Sequence, residues 1–122
     1  MLSQRNPDTA YRLVDFDARV ASASPAELVK LCYEQLIGAL GRALIAEERG
    51  DNRMKSEALT RAVSALNALQ MGVSGESGVA EALHQLYTAA RRSVLDCVLR
   101  FDAPAIARIR QDFIEIASAL TA

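Results

Sequence analysis

The sequence predicts an all-α protein, an antiparallel four-helix bundle preceded by an N-terminal arm. Apolar residues recur at steps of three and four along four separate stretches, the spacing expected for one face of a helix. Glycine, aspartate and proline fall between these stretches, where helices end and begin. With 51% hydrophobic and 24% charged residues in 122, the chain can bury a core. We expect a single domain, with the arm at 1–21 and the helical bundle at 22–122.

The arm carries apolar side chains but no sustained helical period, so we expect it to be irregular. Tyr11 and Val20 are among these apolar residues, and they lie between charged ones. Burying a large apolar side chain contributes about 1.5 to 3 kcal/mol. We therefore expect the arm to lie on the bundle, against the small-residue face that begins with Leu28 and Cys32; a frayed tail in solvent is the alternative.

The first long helix has clear signals at both ends. Ser24 can cap it with a hydroxyl, Pro25 suits the first helical position, and Glu27 can bond back to the cap. Gly50 is typical of a helix end. These residues predict a helix over 25–49.

This first helix carries two apolar stripes, which predicts neighbours on two of its sides. The stripes are Val29, Tyr33, Leu36, Leu40 and Leu44, and then Leu28, Cys32, Ala39, Ala43 and Ala46. Gly38 and Gly41 lie beside the second stripe. Because each mid-helix glycine costs about 1 kcal/mol relative to alanine, the pair predicts close approach by another backbone. Tight packing within the bundle and a groove for a partner both explain such an approach.

Three further helices are expected, over 53–71, over 79–100 and from 102 to the C-terminus, with a loop at 73–78. Their apolar residues again recur at steps of three and four: Leu59, Ala62, Leu66 and Leu69; Leu83, Leu86, Ala90, Val94 and Cys97; Ile106, Ile109, Phe113, Ile116 and Leu120. Short connections between consecutive helices favour antiparallel neighbours.

Charge and cysteine usage exclude several classes of function. The formal net charge is −1 and the arginines are scattered, so we expect no nucleic-acid partner. Cys32 and Cys97 fall in apolar runs with neither metal-ligand nor redox spacing, and we expect them to fill the core. The N-terminus lacks the apolar core of a signal peptide, and Lys30 and Glu34 interrupt the longest apolar helix. These features predict a cytoplasmic protein without membrane insertion.

His84, the single histidine, raises two chemical hypotheses. Glu81 precedes it at the spacing found in di-iron bundles, but such a site needs a second copy of the pair. Histidine phosphotransfer domains have this size and architecture and carry His-x-x-Lys-Gly, whereas Tyr87 and Thr88 stand at those two positions here. We therefore expect a surface histidine and a protein that is not an enzyme, with no cofactor and no metal.

Several segments resemble the flagellar secretion chaperone family, the flagellin export chaperones. The segments are Ser22-Ala23-Ser24-Pro25, Leu31-Cys32-Tyr33-Glu34 and Leu83-His84-Gln85-Leu86-Tyr87. That family has Thr-Ala-Ser-Pro before its first helix, Leu-Tyr-Asp-Gly within it and Leu-x-x-Leu-Tyr in its third. The chain departs from this pattern at Ser22, where the family has threonine, and at Gln35, where it usually has glycine.

The resemblance implies a cytosolic bundle that binds the disordered C-terminal tail of flagellin, prevents premature polymerisation and delivers the subunit to the flagellar type III export apparatus. A tail that becomes ordered on binding needs a long apolar surface. The residues implied at or near the binding groove are Tyr11, Val20, Pro25, Leu28, Leu31, Leu86 and Tyr87. A histidine phosphotransfer bundle using His84 and a self-associating structural bundle remain alternatives.

Overall fold

The computed structural model describes residues 15, 17–19, 21–73 and 78–121. Within them lie four long helices, α1 (Pro25–Arg49), α2 (Asn52–Gly72), α3 (Gly78–Leu99) and α4 (Ala103–Thr121). No strand occurs in this part of the chain. The predicted all-α class is confirmed, and each helix begins and ends within one or two residues of its predicted bounds.

Local side-chain chemistry sets the helix ends. The Ser24 hydroxyl accepts a hydrogen bond from the Glu27 N–H at 3.3 Å and donates to the Glu27 carboxylate at 2.9 Å. Gly50 ends α1 at φ +66°, a left-handed conformation that favours glycine. Asp51 and Asp102 each accept from the backbone N–H three residues further on, at 3.0 and 3.1 Å. These caps explain why the bounds could be predicted.

Contacts between helices define the direction of each one. Gln70 donates a hydrogen bond to Thr88, and Arg91 donates one to Asn67. Residue numbers therefore increase along α2 in the direction in which they decrease along α3, so these two helices are antiparallel. The α1–α4 pair is also antiparallel, because Tyr33 packs against Phe113, whereas Ile37, further along α1, bonds Arg110, which comes earlier in α4. Helix α1 packs most extensively on α2, and α3 touches α4 least. The seam between α3 and α4 is therefore the least closed of the four.

Both predicted stripes of α1 face the interior. Tyr33, Leu36 and Leu40 of one stripe are buried, as are the cysteine and alanines of the other. Val29 is the exception, with 36% of its surface exposed. The largest fully buried side chains come from all four helices: Leu36, Leu40, Leu59, Leu66, Val94, Ile106 and Phe113. The core is thus continuous through the bundle.

The expectation for the glycine pair is wrong at Gly41, because a side chain and not a backbone fills the space. A Cβ on Gly41 would lie 3.1 Å from Nε of Arg110 in α4. That Nε donates to the Ile37 carbonyl oxygen at 3.1 Å. Gly41 therefore opens the surface of α1 to a guanidinium group.

The irregular conformation expected before α1 is also wrong for the described residues, since 15, 17–19, 21 and 22 are helical. Local contacts explain this, because the Ser22 hydroxyl donates to the Ala18 and Arg19 carbonyls, both at 3.3 Å. Arg19 also pairs with Asp15 at 3.9 Å, one helical turn away. Residues 1–14 lie outside the described part of the chain.

Candidate protein-binding groove

An apolar groove of about 410 Å³ runs between α1 and α4. Its lining residues are Ala26, Val29, Lys30, Tyr33, Glu34 and Ile37 from α1, and Ile114, Ala117, Ser118 and Leu120 from α4. Along α1 these residues span about 17 Å at the helical rise of 1.5 Å per residue. The groove is therefore long enough for about three turns of a partner helix.

Apolar side chains in this groove remain exposed to solvent. Val29 is 36% exposed and Leu120 is 59% exposed, although both belong to helices whose other faces build the core. Lys30 and Glu34 contribute the charged groups among the lining residues. An open apolar groove with a charged border has the composition of a protein-binding surface.

Three buried aromatic rings lie beneath the groove. Tyr33, which also lines it, has its ring centroid 5.6 Å from that of Phe113 and 6.3 Å from that of Tyr87. The two tyrosine hydroxyl oxygens are 2.8 Å apart and share a hydrogen bond. Burial raises the pKa of both phenols, so both stay protonated at neutral pH. These contacts tie α1, α3 and α4 together and give the groove a rigid base.

An ion pair joins the segment before α1 to the groove. Arg19 Nη2 lies 3.1 Å from the Glu34 carboxylate, and Glu34 is one of the lining residues. Both side chains are about half exposed, so the pair contributes little to stability. Its importance is positional, because it brings residues just before α1 to the border of the groove.

Of the seven residues implied by the resemblance, the five that the structure describes do not line this groove. Pro25 is exposed, Leu28 and Leu86 are half-buried, and Leu31 and Tyr87 are 7% and 2% exposed. Tyr87 reaches the groove only indirectly, through its hydrogen bond to Tyr33. Tyr11 and Val20 lie outside the described residues. The binding role of all seven stays a prediction.

Sequence reasoning missed the contribution of α4. Ile114, Ala117 and Leu120 lie at steps of three, a spacing that indicates an apolar face of a helix. Leu120 belongs to the apolar repeat predicted for the fourth helix, but periodicity alone does not tell which part of an apolar face another helix covers. For α1, the sequence did indicate an apolar surface at the groove, because Val29 and Tyr33, which both line it, belong to one predicted apolar stripe.

His84 lies elsewhere, on the exposed face of α3. It borders a shallow cavity of about 480 Å³ with Gln85, Thr88, Ala89, Arg92 and Ser93, all from the same helix. Arg92 is the cationic side chain of this set, and no lysine belongs to it. The geometry offers His84 neither of the groups that the phosphotransfer motif places after its histidine.

The remaining chemistry-bearing groups form no further site within the described residues. No three histidine, cysteine, aspartate or glutamate side chains gather there in a way that could hold a metal ion. Cys32 and Cys97 are buried free thiols, and burial raises the pKa of Cys32. In the same part of the chain, no helix has the length and apolar character needed to cross a membrane.

Comparison with known proteins agrees with the resemblance. The family described as "Flagellar protein FliS" matches residues 7–121. The Flagellar secretion chaperone FliS of Salmonella typhimurium is 36% identical over 113 residues, which cover 90% of this chain and 84% of that protein. A family match over nearly the whole chain, with such a relative, identifies the family. The chain belongs to the FliS family of flagellar secretion chaperones.

Proposed function

We propose that this protein is a cytoplasmic export chaperone that binds the C-terminal tail of flagellin in the groove between α1 and α4. By holding the tail it prevents premature polymerisation, and it presents the subunit to the flagellar export apparatus. The Salmonella relative is named a flagellar secretion chaperone, which supports an export role.

One observation carries the choice of surface, namely the exposed apolar groove over a rigid base. Val29 and Leu120 leave apolar area in water that a partner can cover. The aromatic rings under the groove are already packed, so binding there requires little rearrangement of the bundle. A disordered tail that folds into an amphipathic helix matches such a groove.

The test is calorimetric titration of a synthetic flagellin C-terminal peptide into the wild-type protein and into two matched variants. Val29→Glu places a carboxylate in the groove, and Ile45→Glu places one on the same helix at a similar exposure, 42% against 36%. Ile45 is not among the lining residues. Because an unpaired charge resists burial, we expect Val29→Glu to weaken binding about tenfold or more and Ile45→Glu to leave it unchanged.

A third variant separates this groove from the surface implied by the resemblance. Leu28 is half-buried and lies outside the lining residues. If Leu28→Glu weakens binding of the peptide and Val29→Glu does not, the tail binds the face that carries Leu28, and the groove assignment is wrong. If wild-type protein shows no heat of binding at any of several temperatures, the chaperone proposal itself fails.

His84→Ala serves as a control for the phosphotransfer alternative. Since His84 is exposed on α3 and distant in sequence from every lining residue, the substitution should leave peptide affinity unchanged. A phosphoryl group trapped on His84 after incubation with a phosphorylated response regulator would favour the alternative. Light scattering of the protein without peptide tests the self-associating bundle.

A further inference from the structure

The side chain of Arg110 is anchored in an unusual way. Its Nε donates to the carbonyl oxygen of Ile37 at 3.1 Å, although that carbonyl lies in the middle of α1. The space beside Gly41 receives the guanidinium, with Nε, Cζ and Nη2 lying 3.1, 3.5 and 3.5 Å from where a Cβ would be. A Cβ at position 41 would require the guanidinium to shift by a few tenths of an ångström. The Ile37 carbonyl oxygen and the space beside Gly41 therefore orient the guanidinium between α1 and α4.

The guanidinium group of Arg110 has N–H donors that the bond to Ile37 does not use. A guanidinium carries five N–H donors, and the bond to Ile37 uses one of them. Within the described residues, no carboxylate lies within ion-pair distance of Arg110; the pairs found there are those of Arg19, Arg53 and Lys55. Arg110 is also half-buried, which reduces the water available to it. A partly desolvated cation with unused donors is suited to bind an anion.

Arg110 is not among the lining residues, but it lies about one helical turn beyond the inner end of the groove, the end formed by Ile37 and Ile114. Ile37 and Ile114 are the lining residues furthest from its outer end at Ala26 and Leu120. One turn beyond Ile37 along α1 is Gly41, and one turn before Ile114 along α4 is Arg110. Because the two helices are antiparallel, these steps lead in the same direction. A segment lying in the groove therefore points one of its ends at Arg110.

We propose that Arg110 binds a carboxylate of the segment that occupies the groove, either its terminal carboxylate or an acidic side chain. The inference rests on the proposed function, since it assumes a peptide client in this groove. The planar fork of a guanidinium fits the two oxygens of a carboxylate, and the contact with Ile37 orients it in advance. Arg110 thereby sets the register of the client and, if the terminus is bound, its direction parallel to α1.

The test compares peptides and matched protein variants by calorimetry. The flagellin C-terminal peptide is prepared as the free acid, as the C-terminal amide, and with its acidic side chains replaced one at a time by their amides. Arg110→Met removes the guanidinium but keeps most of the length of the side chain. Arg108→Met removes the same charge from an exposed position two residues away on α4, and so on another face.

We expect Arg110→Met to lower the affinity for the free-acid peptide about tenfold to hundredfold, the range expected for loss of a charge-assisted hydrogen-bonded pair. Arg108→Met should change affinity less than about twofold, the small effect of an exposed charge. The one peptide that lacks the bound carboxylate should bind wild type and Arg110→Met equally. If that peptide is the C-terminal amide, Arg110 binds the terminal carboxylate. If it is one of the side-chain amides, Arg110 binds the acidic side chain that was replaced.

Equal loss in the two arginine variants, or no loss in either, overturns the proposal while leaving the chaperone function intact. Unfolding midpoints and circular dichroism of the variants show whether a loss comes from misfolding. A measurement without peptide tests anion binding by Arg110 directly. The Arg110 Nε–Hε resonance of labelled protein should shift on addition of sodium acetate at constant ionic strength, and that of Arg108 should not. Equal shifts at both arginines, or none, contradict it.

Discussion

Two buried hydroxyl groups connect α1 to α3. Tyr33 and Tyr87 are each 2% exposed, and within the described residues their hydroxyl groups bond only to each other. Tyr33→Phe or Tyr87→Phe leaves one buried hydroxyl without a partner, so we expect each to lower the free energy of unfolding by about 1 to 3 kcal/mol. The double variant should lose less than the sum, because no orphaned hydroxyl remains. Urea unfolding of the four proteins measures this, and additive losses would contradict it.

The same residues predict a sensitivity to alkaline pH. Burial, followed by the hydrogen bond between the two phenols, raises the pKa of Tyr33 above its ordinary value of 10.0, and burial raises that of Tyr87. In the unfolded chain both ionise near pH 10. Above that pH the unfolded state therefore binds fewer protons than the folded state, and stability falls as pH rises. The double Tyr→Phe variant should lose less stability than wild type between about pH 9.5 and 11; parallel curves would show that the phenols are not responsible.

On α1, the two glycines of the helix interior have different surroundings. A Cβ on Gly38 would meet Arg42 Nη1 at 3.4 Å, an ordinary contact, whereas one on Gly41 would lie 3.1 Å from the anchored Arg110. Gly38→Ala should therefore stabilise the protein by up to about 1 kcal/mol, and Gly41→Ala by less. In an Arg110→Ala background, Gly41→Ala should regain the full effect. Chemical unfolding compares the variants, and equal gains for both glycines in wild type would show that Arg110 does not restrict the space beside Gly41.

The N-terminal arm provides a prediction at the level of one segment. Arg19 pairs with Glu34 at the border of the groove, and the sequence before it carries apolar residues such as Tyr11. We propose that the arm competes with the client for apolar surface.

Deleting residues 1–18 should leave the bundle folded, increase the fluorescence of a dye such as ANS and speed peptide association. Slower dissociation from the full-length protein than from the truncated one would mean instead that the arm clamps the client. Unchanged rates, with proteolysis of the arm equally fast with and without peptide, would show that it is only a tail.

For the molecule as a whole, the proposal predicts that binding and folding of the client are coupled. The groove offers apolar area along about three helical turns, and a disordered tail must become ordered to cover it. We expect the mixture to be more helical by circular dichroism than the sum of its parts. Calorimetry at several temperatures should give a negative heat-capacity change. A spectrum equal to the sum at saturating peptide would exclude coupled folding.

The helices themselves could be predicted because their signals are local. Ser24, Gly50, Asp51 and Asp102 cap or end helices through atoms within a few residues of themselves, so their neighbours in sequence suffice to define the bounds. The apolar steps of three and four likewise arise from the geometry of one helix. The fold class and the two buried faces of α1 follow from these signals alone.

The groove and the position of Arg110 were decided only by the tertiary structure. Tyr87 and Val29 both belong to apolar faces, yet one is enclosed and the other is exposed, because exposure depends on how far neighbouring helices cover each face. Gly41 has no local reason to be glycine, and its role appears only when Arg110, far along the chain, packs against it. Local chemistry determines where helices form, whereas the uncovered surface depends on the packing of segments that are distant in sequence.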